Sequence, residues 1–310
     1  MRSQNAGARG KSLMFRVKCD WQLYLLILPI LAYLLVFNYL PLYGIQIAFK
    51  NFRAVDGIWG SRWVGLQQFE TFFSSYYFSR LISNTFLLNL YALLWGFPIP
   101  VFLAILLNRI NNKMFKKYTQ TVIYVPHFIS VVVLAGMVYI FCAPTGGLFN
   151  VVIRALGGST VAFMTDPGWF RSIYIGSGIW QSAGWGTILY LAALTGVDPE
   201  IYEAATIDGA TILQKIRYID VPMLVPIATM MLILNSGSLL SSNTEKALLF
   251  QTAGNIPASD VIGLYVYKVG LEQAKFSFAA AIGLFVNVVN FVLILTVNTI
   301  SNKMGDTSLF

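Results

Sequence analysis

Residues 82–107 read ISNTFLLNLYALLWGFPIPVFLAILL, with Arg80 just before the run and Arg109 just after it. The run contains no Asp, Glu, Lys, Arg or His, and it exceeds the ~20 residues a helix needs to cross a hydrocarbon core. Comparable runs lie outward in both directions, at 22–42, 119–143, 172–195, 222–242 and 278–300, and apart from His127 none of the six contains Asp, Glu, Lys, Arg or His. Lipid offers backbone groups no partner, so segments of this kind must form helices. The expected fold is all-α and integral to a membrane, with six transmembrane helices and both termini on one side. An arm over 1–21 precedes a membrane domain over 22–310 that includes the loop 196–221.

The composition points the same way. Hydrophobic residues make up 57% of the 310 positions and charged residues 11%, against about 25% charged in soluble domains. Mean hydropathy is +0.67. The first apolar run follows Arg2, Arg9, Lys11, Arg16 and Lys18. It is too long for a signal-peptide core and ends in Phe37-Asn38-Tyr39-Leu40-Pro41 without a small-residue cleavage site, so it reads as a retained span.

Orientation follows from the cations. With the N-terminus in the cytoplasm, the inner segments 1–21, 108–118, 196–221 and 301–310 hold 12 Lys and Arg in 68 residues, and the outer segments hold 9 in 102. That is the positive-inside bias. The formal charge of +8 therefore reports topology. Because the cations are divided among loops on both sides, they do not form the single basic face of a nucleic-acid binder.

Several residues invite a chemical reading that their surroundings do not sustain. Cys19 and Cys142 fall on opposite sides in this topology, which excludes a disulfide, and no metal-ligand spacing exists. His127 follows Pro126 without ionisable neighbours, which favours packing over proton relay. Gly7-Ala8-Arg9-Gly10-Lys11-Ser12 has two residues where a phosphate loop needs four, so no nucleotide site is expected. Ion-coupled carriers bind their ion within the bundle. The six runs contain no carboxylate for that purpose, so work for uphill transport must enter from outside.

The loop between the fourth and fifth runs reads Asp198-Pro199-Glu200-Ile201-Tyr202-Glu203-Ala204-Ala205-Thr206-Ile207-Asp208-Gly209-Ala210 and continues through Lys215, Arg217 and Ile219 to Pro222. Asp198 is a helix cap and Pro199 suits the first helical position. Glu200 and Glu203 favour the positive end, and Gly209 permits a bend. Ala204 and Ala205 permit close approach by another surface.

This segment resembles the EAA motif of bacterial ATP-binding-cassette (ABC) import permeases, with Glu203, Ala204, Ala205, Gly209, Ile219 and Pro222 matching and Val221 standing for the usual Leu. Trp63-Val64-Gly65-Leu66-Gln67-Gln68-Phe69 is similar to an external segment of maltose-type sugar permeases. Pro41-Leu42-Tyr43-Gly44-Ile45, Pro126-His127-Phe128-Ile129-Ser130 and Tyr190-Leu191-Ala192-Ala193-Leu194 resemble the branch that handles oligosaccharides from complex polysaccharides. The resemblance implies a type I importer fold in a bacterial plasma membrane. It also implies a second, usually different permease, two cytosolic ATPases that bind the ATP and Mg, and an external solute-binding protein. It assigns ATPase coupling to Glu203, Ala204, Ala205, Asp208 and Gly209, and no cofactor to this chain.

Polar residues at helical spacing nominate the solute path. Asn235, Ser238 and Ser242 fall at i, i+3 and i+7; Gly283, Asn287 and Asn290 share a second stripe; Gln181 and Trp185 are i and i+4. Amides beside an indole suit the hydroxyl edges and C–H faces of sugars, which nominates Gln181, Trp185, Asn235, Ser238 and Asn287. The same residue types also serve helix packing. External aromatics such as Trp59, Trp63, Phe72 and Tyr76 suit either docking of the binding protein or a membrane-interface belt. An amino-acid or peptide permease is the alternative within the class. A secondary carrier would require a coupling carboxylate or inverted repeat, and a channel a filter loop or charge ring.

Overall fold

The computed structural model describes residues 21–304, which form two compact units, one ending at Gln68 and one starting at Phe69. Of the expected arm over 1–21, all but Trp21 lies outside the described residues. In the first unit, α1 (Trp21–Leu34) runs on through a π-type turn and a 3₁₀ stretch to Phe49. Its side chains from Trp21 to Tyr43 are exposed, as an apolar helix facing lipid or another protein would be. The strands β1 (Lys50–Asn51) and β2 (Arg62–Trp63) then pair antiparallel, with Lys50 opposite Trp63. Trp63 stacks on Phe49 at 5.7 Å.

The second unit is a helical bundle. Its principal helices are α2 (Phe78–Gly96), α3 (Pro98–Asn108), α4 (Lys113–Tyr124), α5 (Val131–Phe141), α6 (Pro167–Thr195), α7 (Pro199–Ile207), α8 (Val221–Ser236), α9 (Thr244–Phe250) and α10 (Phe276–Met304). Among the described residues, four helical stretches are long and apolar enough to cross a membrane: Trp21–Phe49, Phe78–Asn108, Ile212–Ser236 and Phe276–Lys303. A fifth is added if Lys113–Phe128 and Val131–Phe141, bent by 99°, are one span. The run 172–195 lies in α6, which has the length of a span at 29 residues but falls outside that apolar set. Its composition explains the difference: Ser172, Gly176, Ser177, Gly178, Gln181, Ser182, Gly184 and Gly186 lower its hydropathy, small and polar residues of the kind that serve helix packing.

Two expected spans have different limits. The run 119–143 is not one straight helix, because Pro126 begins a 3₁₀ turn and Ser130 caps a new helix, its hydroxyl accepting from Val133 N at 3.3 Å. The run 222–242 ends as a helix at Ser236. The hydroxyls of Ser236 and Ser238 donate to the carbonyls of Ile233 and Asn235 at 2.6 and 2.8 Å, competing for acceptors at the helix end. The helices also extend past the apolar runs, so the stretches Phe78–Asn108 and Ile212–Ser236 include Arg80, Lys215, Arg217 and Asp220.

The core forms three clusters. One joins α3, α6 and α8 through Leu107, Leu191, Leu194 and Leu224. A second joins α6 and α9 through Phe170, Tyr174 and Phe250. The third is centred on Phe72, which is fully buried against Phe278 and Phe285. Phe72 is therefore a core residue, while Trp59 and Tyr76 remain exposed. Lys246 pins α9 to α6, donating to Tyr174 O at 2.7 Å with its ammonium 4.5 Å from the Tyr174 ring.

Helix α6 approaches α4 at Gly184, where a Cβ would stand 1.8 Å from Ile123 O. Nothing lies within 4 Å of a Cβ at Gly176 in the same helix. Gly184→Ala is expected to lower the thermal stability of the purified chain, an overpacking cost of about 1–3 kcal/mol, while Gly176→Ala leaves it unchanged. Equal melting temperatures for the two variants would show that the contact is slack.

Candidate functional site

Two places gather the nominated residues. The first is a cavity of about 650 Å³ between α2, α3, α6 and α8, lined among others by Asn89, Ser182, Trp185, Asn235 and Ser238. No Asp, Glu, Lys, Arg or His lines it among the described residues. Its volume lies within the ~300–1,000 Å³ of small-ligand sites. Trp185 is held from one side by His127, whose ring stacks on the indole at 4.5 Å and 5°, and by the edge of Phe128. With 46% of the residue exposed, the indole is a braced platform at the cavity wall. His127 thus packs, as its sequence context suggests. Asn235 is exposed, and no protein group among the described residues takes its amide. Ser238 reaches the cavity through the turn after α8 and not through continued helical spacing.

The other nominated polar residues stand elsewhere. Gln181 Nε2 donates to Ile129 O at 2.7 Å, supplying a partner to a carbonyl freed by the break before α5. Asn287 is exposed outside the cavity lining. Asn290 is buried, accepting from Leu240 N at 3.0 Å and donating to Ser241 Oγ at 2.9 Å. Asn89, which the spacing argument passes over, donates to Leu239 O at 3.0 Å and Ser241 O at 2.7 Å, and it also lines the cavity. The Ser242 hydroxyl accepts from Gly263 N at 3.1 Å. These groups satisfy backbone left open where helices break.

The second place is the loop 196–221. The Asp198 carboxylate accepts from Glu200 N at 3.0 Å, and Pro199 opens α7. At the other end Gly209 takes φ +75°, Ala210 N donates to Ala205 O at 2.8 Å and Gly209 N donates to Thr206 O at 3.1 Å. This is a Schellman cap, which requires the left-handed backbone that glycine provides. Thr211 and Gln214 form a capping box for the next turn. Lys215 Nζ donates to Thr206 Oγ1 at 2.6 Å across the bend. Glu203, Ala204, Asp208 and Gly209 are exposed and Ala205 is half-buried. Around them Ile207, Ile212 and Leu213 are 87%, 67% and 77% exposed, an apolar rim that the sequence reading left out.

Beneath this surface, Asp220 is fully buried and paired with Arg109, and Tyr202 OH donates to Asp220 Oδ1 at 2.6 Å. The Arg109 guanidinium carbon stands 5.2 Å from the Tyr202 ring centre. Burial and then the Asp220 carboxylate push the Tyr202 phenol up to about 12, so it stays protonated and donates at physiological pH. No group of three or more metal-ligating side chains is present among the described residues.

An uncharged cavity inside an apolar bundle, with a capped and partly apolar projection outside it, fits a membrane permease component. The chain belongs to the family described as binding-protein-dependent transport system inner membrane component, whose pattern matches residues 96–306. It is 40% identical over 302 residues to Protein LplB of Bacillus subtilis (strain 168), covering 97% of this chain and 95% of that one. It is 39% identical over 300 residues to the polygalacturonan/rhamnogalacturonan transport system permease protein YteP of the same strain, covering 97% and 94%. Among solved structures it is similar to a chain of a bacterial ABC transporter involved in import of the acidic polysaccharide alginate, with TM-score 0.87, 39% identity and 94% and 99% coverage. It is also similar to a chain of the bacterial alginate ABC transporter in complex with alginate pentasaccharide-bound periplasmic protein, with TM-score 0.88, 38% identity and 96% and 100% coverage. The resemblance read from the EAA segment is thus borne out: the chain is an ABC sugar-importer permease subunit, a transport component.

The cavity geometry makes Trp185 and Asn235 testable separately. Trp185→Ala is expected to reduce uptake by assembled complexes between about twofold and tenfold, the range of an aromatic contact. Asn235→Ala is expected to raise the solute concentration needed for half-maximal uptake. Unchanged uptake and concentration dependence in both would place these residues in packing alone.

Proposed function

We propose that this chain lines half of the path of a bacterial inner-membrane importer for oligosaccharides and that α7 receives the motion of a cytosolic ATPase. The observation that carries the reading is the pairing of an uncharged, indole-floored cavity with an exposed, doubly capped helix at the loop 196–221. In the cavity, Asn235, Ser238 and Trp185 present hydrogen-bonding groups and a flat apolar face to sugar hydroxyls and C–H surfaces. Gln181 supports this path through its bond to Ile129 O, while Asn287, exposed outside the lining, is kept here only as a candidate on the exposed face of α10. Relatives named as permeases of galactooligosaccharides and arabinooligosaccharides support the oligosaccharide class. An amino-acid substrate would present two charges to a cavity wall with no Asp, Glu, Lys, Arg or His among its described lining residues.

In this proposal six helices cross the membrane, α6 being the span whose neighbours are protein. Residues 1–21 and 22–310 are arm and permease domain. Both termini and the loop 196–221 face the cytoplasm, in keeping with the cation distribution. A second permease subunit completes the path, two ATPase subunits bind ATP and Mg, and an external binding protein delivers the sugar. Ile207, Ile212 and Leu213 form the apolar centre of the ATPase contact and Glu203 a charged rim, the usual division of a protein interface. Ala204 and Ala205 admit the partner surface, and Asp208 and Gly209 end the helix at the bend.

Reconstituted complexes test this directly. Glu203→Lys places a cation against the basic group expected on the ATPase, and Gly209→Pro fixes φ near −65° and removes the N–H donated to Thr206. Each is expected to reduce uptake and sugar-stimulated ATP hydrolysis at least about tenfold, with membrane insertion and sugar binding by the external protein unchanged. Wild-type values for both activities in Glu203→Lys complexes would refute the coupling role.

A further inference from the structure

Asp220 is the one fully buried carboxylate among the described residues, and it belongs neither to the exposed contact surface nor to the cavity. Its two oxygens are divided: Oδ2 takes the Arg109 guanidinium and Oδ1 takes the Tyr202 hydroxyl. The three residues come from separate elements. Arg109 caps α3, its N–H donating to Ile105 O at 3.3 Å. Tyr202 stands in the middle of α7, and Asp220 immediately precedes α8. Arg109 Nε is buried and finds no hydrogen-bond partner among the described residues, so one buried carboxylate compensates the guanidinium at this end of the bundle.

We infer that Arg109, Asp220 and Tyr202 form a latch that makes α7 move as one body with the cytoplasmic ends of α3 and α8. These are positioning residues. They touch neither sugar nor ATPase and act through Glu203 on one side and Asn235 on the other. The inference deepens the coupling role proposed for α7 and rests on it.

The physical reason is the asymmetry of a buried ion pair. Removing one partner leaves an uncompensated charge, so the paired arrangement resists any motion that would separate the groups. An exposed pair such as Arg53 with Asp56, side chains 70% and 37% exposed, offers no such resistance. Asp220 leads into α8, a helix that rises about 1.5 Å per residue, and Asn235 near its far end lines the cavity. A displacement of α7 held at Asp220 is thereby delivered to the cavity wall.

The test uses the assembled complex with Cys19 and Cys142 replaced by Ala and spin labels at Glu200 of α7 and Leu106 of α3, both exposed and outside the proposed ATPase contact. In the wild-type background the distance between labels is expected to be narrowly distributed, both without nucleotide and in the vanadate-trapped state. In Asp220→Asn the distribution broadens and transported sugar per ATP hydrolysed falls about tenfold, within the usual range of coupling between sites. Tyr202→Phe, which removes one hydroxyl, gives the same changes in smaller degree and covers the case in which Asp220→Asn fails to assemble. The charge exchange Arg109→Asp with Asp220→Arg narrows the distribution again. Unbroadened distances and an unchanged sugar-to-ATP ratio in Tyr202→Phe and in any assembled Asp220→Asn overturn the latch. Broadened distances with normal transport keep the mechanical tie but overturn its role in coupling, and the coupling role of α7 itself then stands or falls on Glu203→Lys.

Discussion

Backbone N–H and C=O groups inside a membrane find no water, and each must be given a partner by the protein. Continuous helices meet this demand by themselves. This bundle interrupts its helices, at Ile129 and again after Ser236, and the polar side chains of neighbouring helices repair the breaks. Gln181 reaches the Ile129 carbonyl, Asn89 reaches Leu239 and Ser241, and Asn290 receives Leu240 N. The breaks bring Ser238 and Leu239 to the wall of the cavity, so the repair of the backbone and the shaping of the path are one piece of construction.

The same demand explains how far the sequence could be read. Apolar runs follow from the thickness of a bilayer, and five of the six correspond to stretches that pass for spans once the bent pair is taken as one. The sixth, α6, has the length of a span, but its serines, glycines and Gln181 keep its hydropathy below that of the other five. The loop 196–221 was legible almost residue by residue, since caps and glycine bends are local: Asp198, Pro199 and Gly209 do what their types and spacing suggest. The cavity was legible in part. Trp185, Asn235 and Ser238 line it, whereas Gln181 serves Ile129 and Asn287 lies outside the lining. Spacing along a helix identifies a shared face but not what that face meets. The pairing of Arg109 with Asp220, 111 positions apart, had no signal in the sequence beyond two charges just outside apolar runs.

A division of labour follows. The wall of the cavity in the proposed path carries no Asp, Glu, Lys, Arg or His among the described residues, while Arg80 meets Asp260 and Arg109 meets Asp220 outside it. Such a wall offers no carboxylate to bind a coupling ion. On the proposed function, energy arrives mechanically, which requires a projection stiff enough to transmit force and apolar enough to be gripped. The loop 196–221 has both properties: α7 is capped at each end, and Ile207 with Ile212 and Leu213 of the following turn forms an exposed apolar rim.

The most direct test of this account is the accessibility of Ile207. A single cysteine at Ile207, in a chain with Cys19 and Cys142 replaced by Ala, should react with an impermeant maleimide in inside-out vesicles that lack the ATPase. It should stay unlabelled in intact cells and become protected when the ATPase subunits are added back. Labelling from the outside of intact cells, or labelling from the inside that the ATPase leaves unchanged, would contradict the claim that α7 is the surface through which this permease is driven.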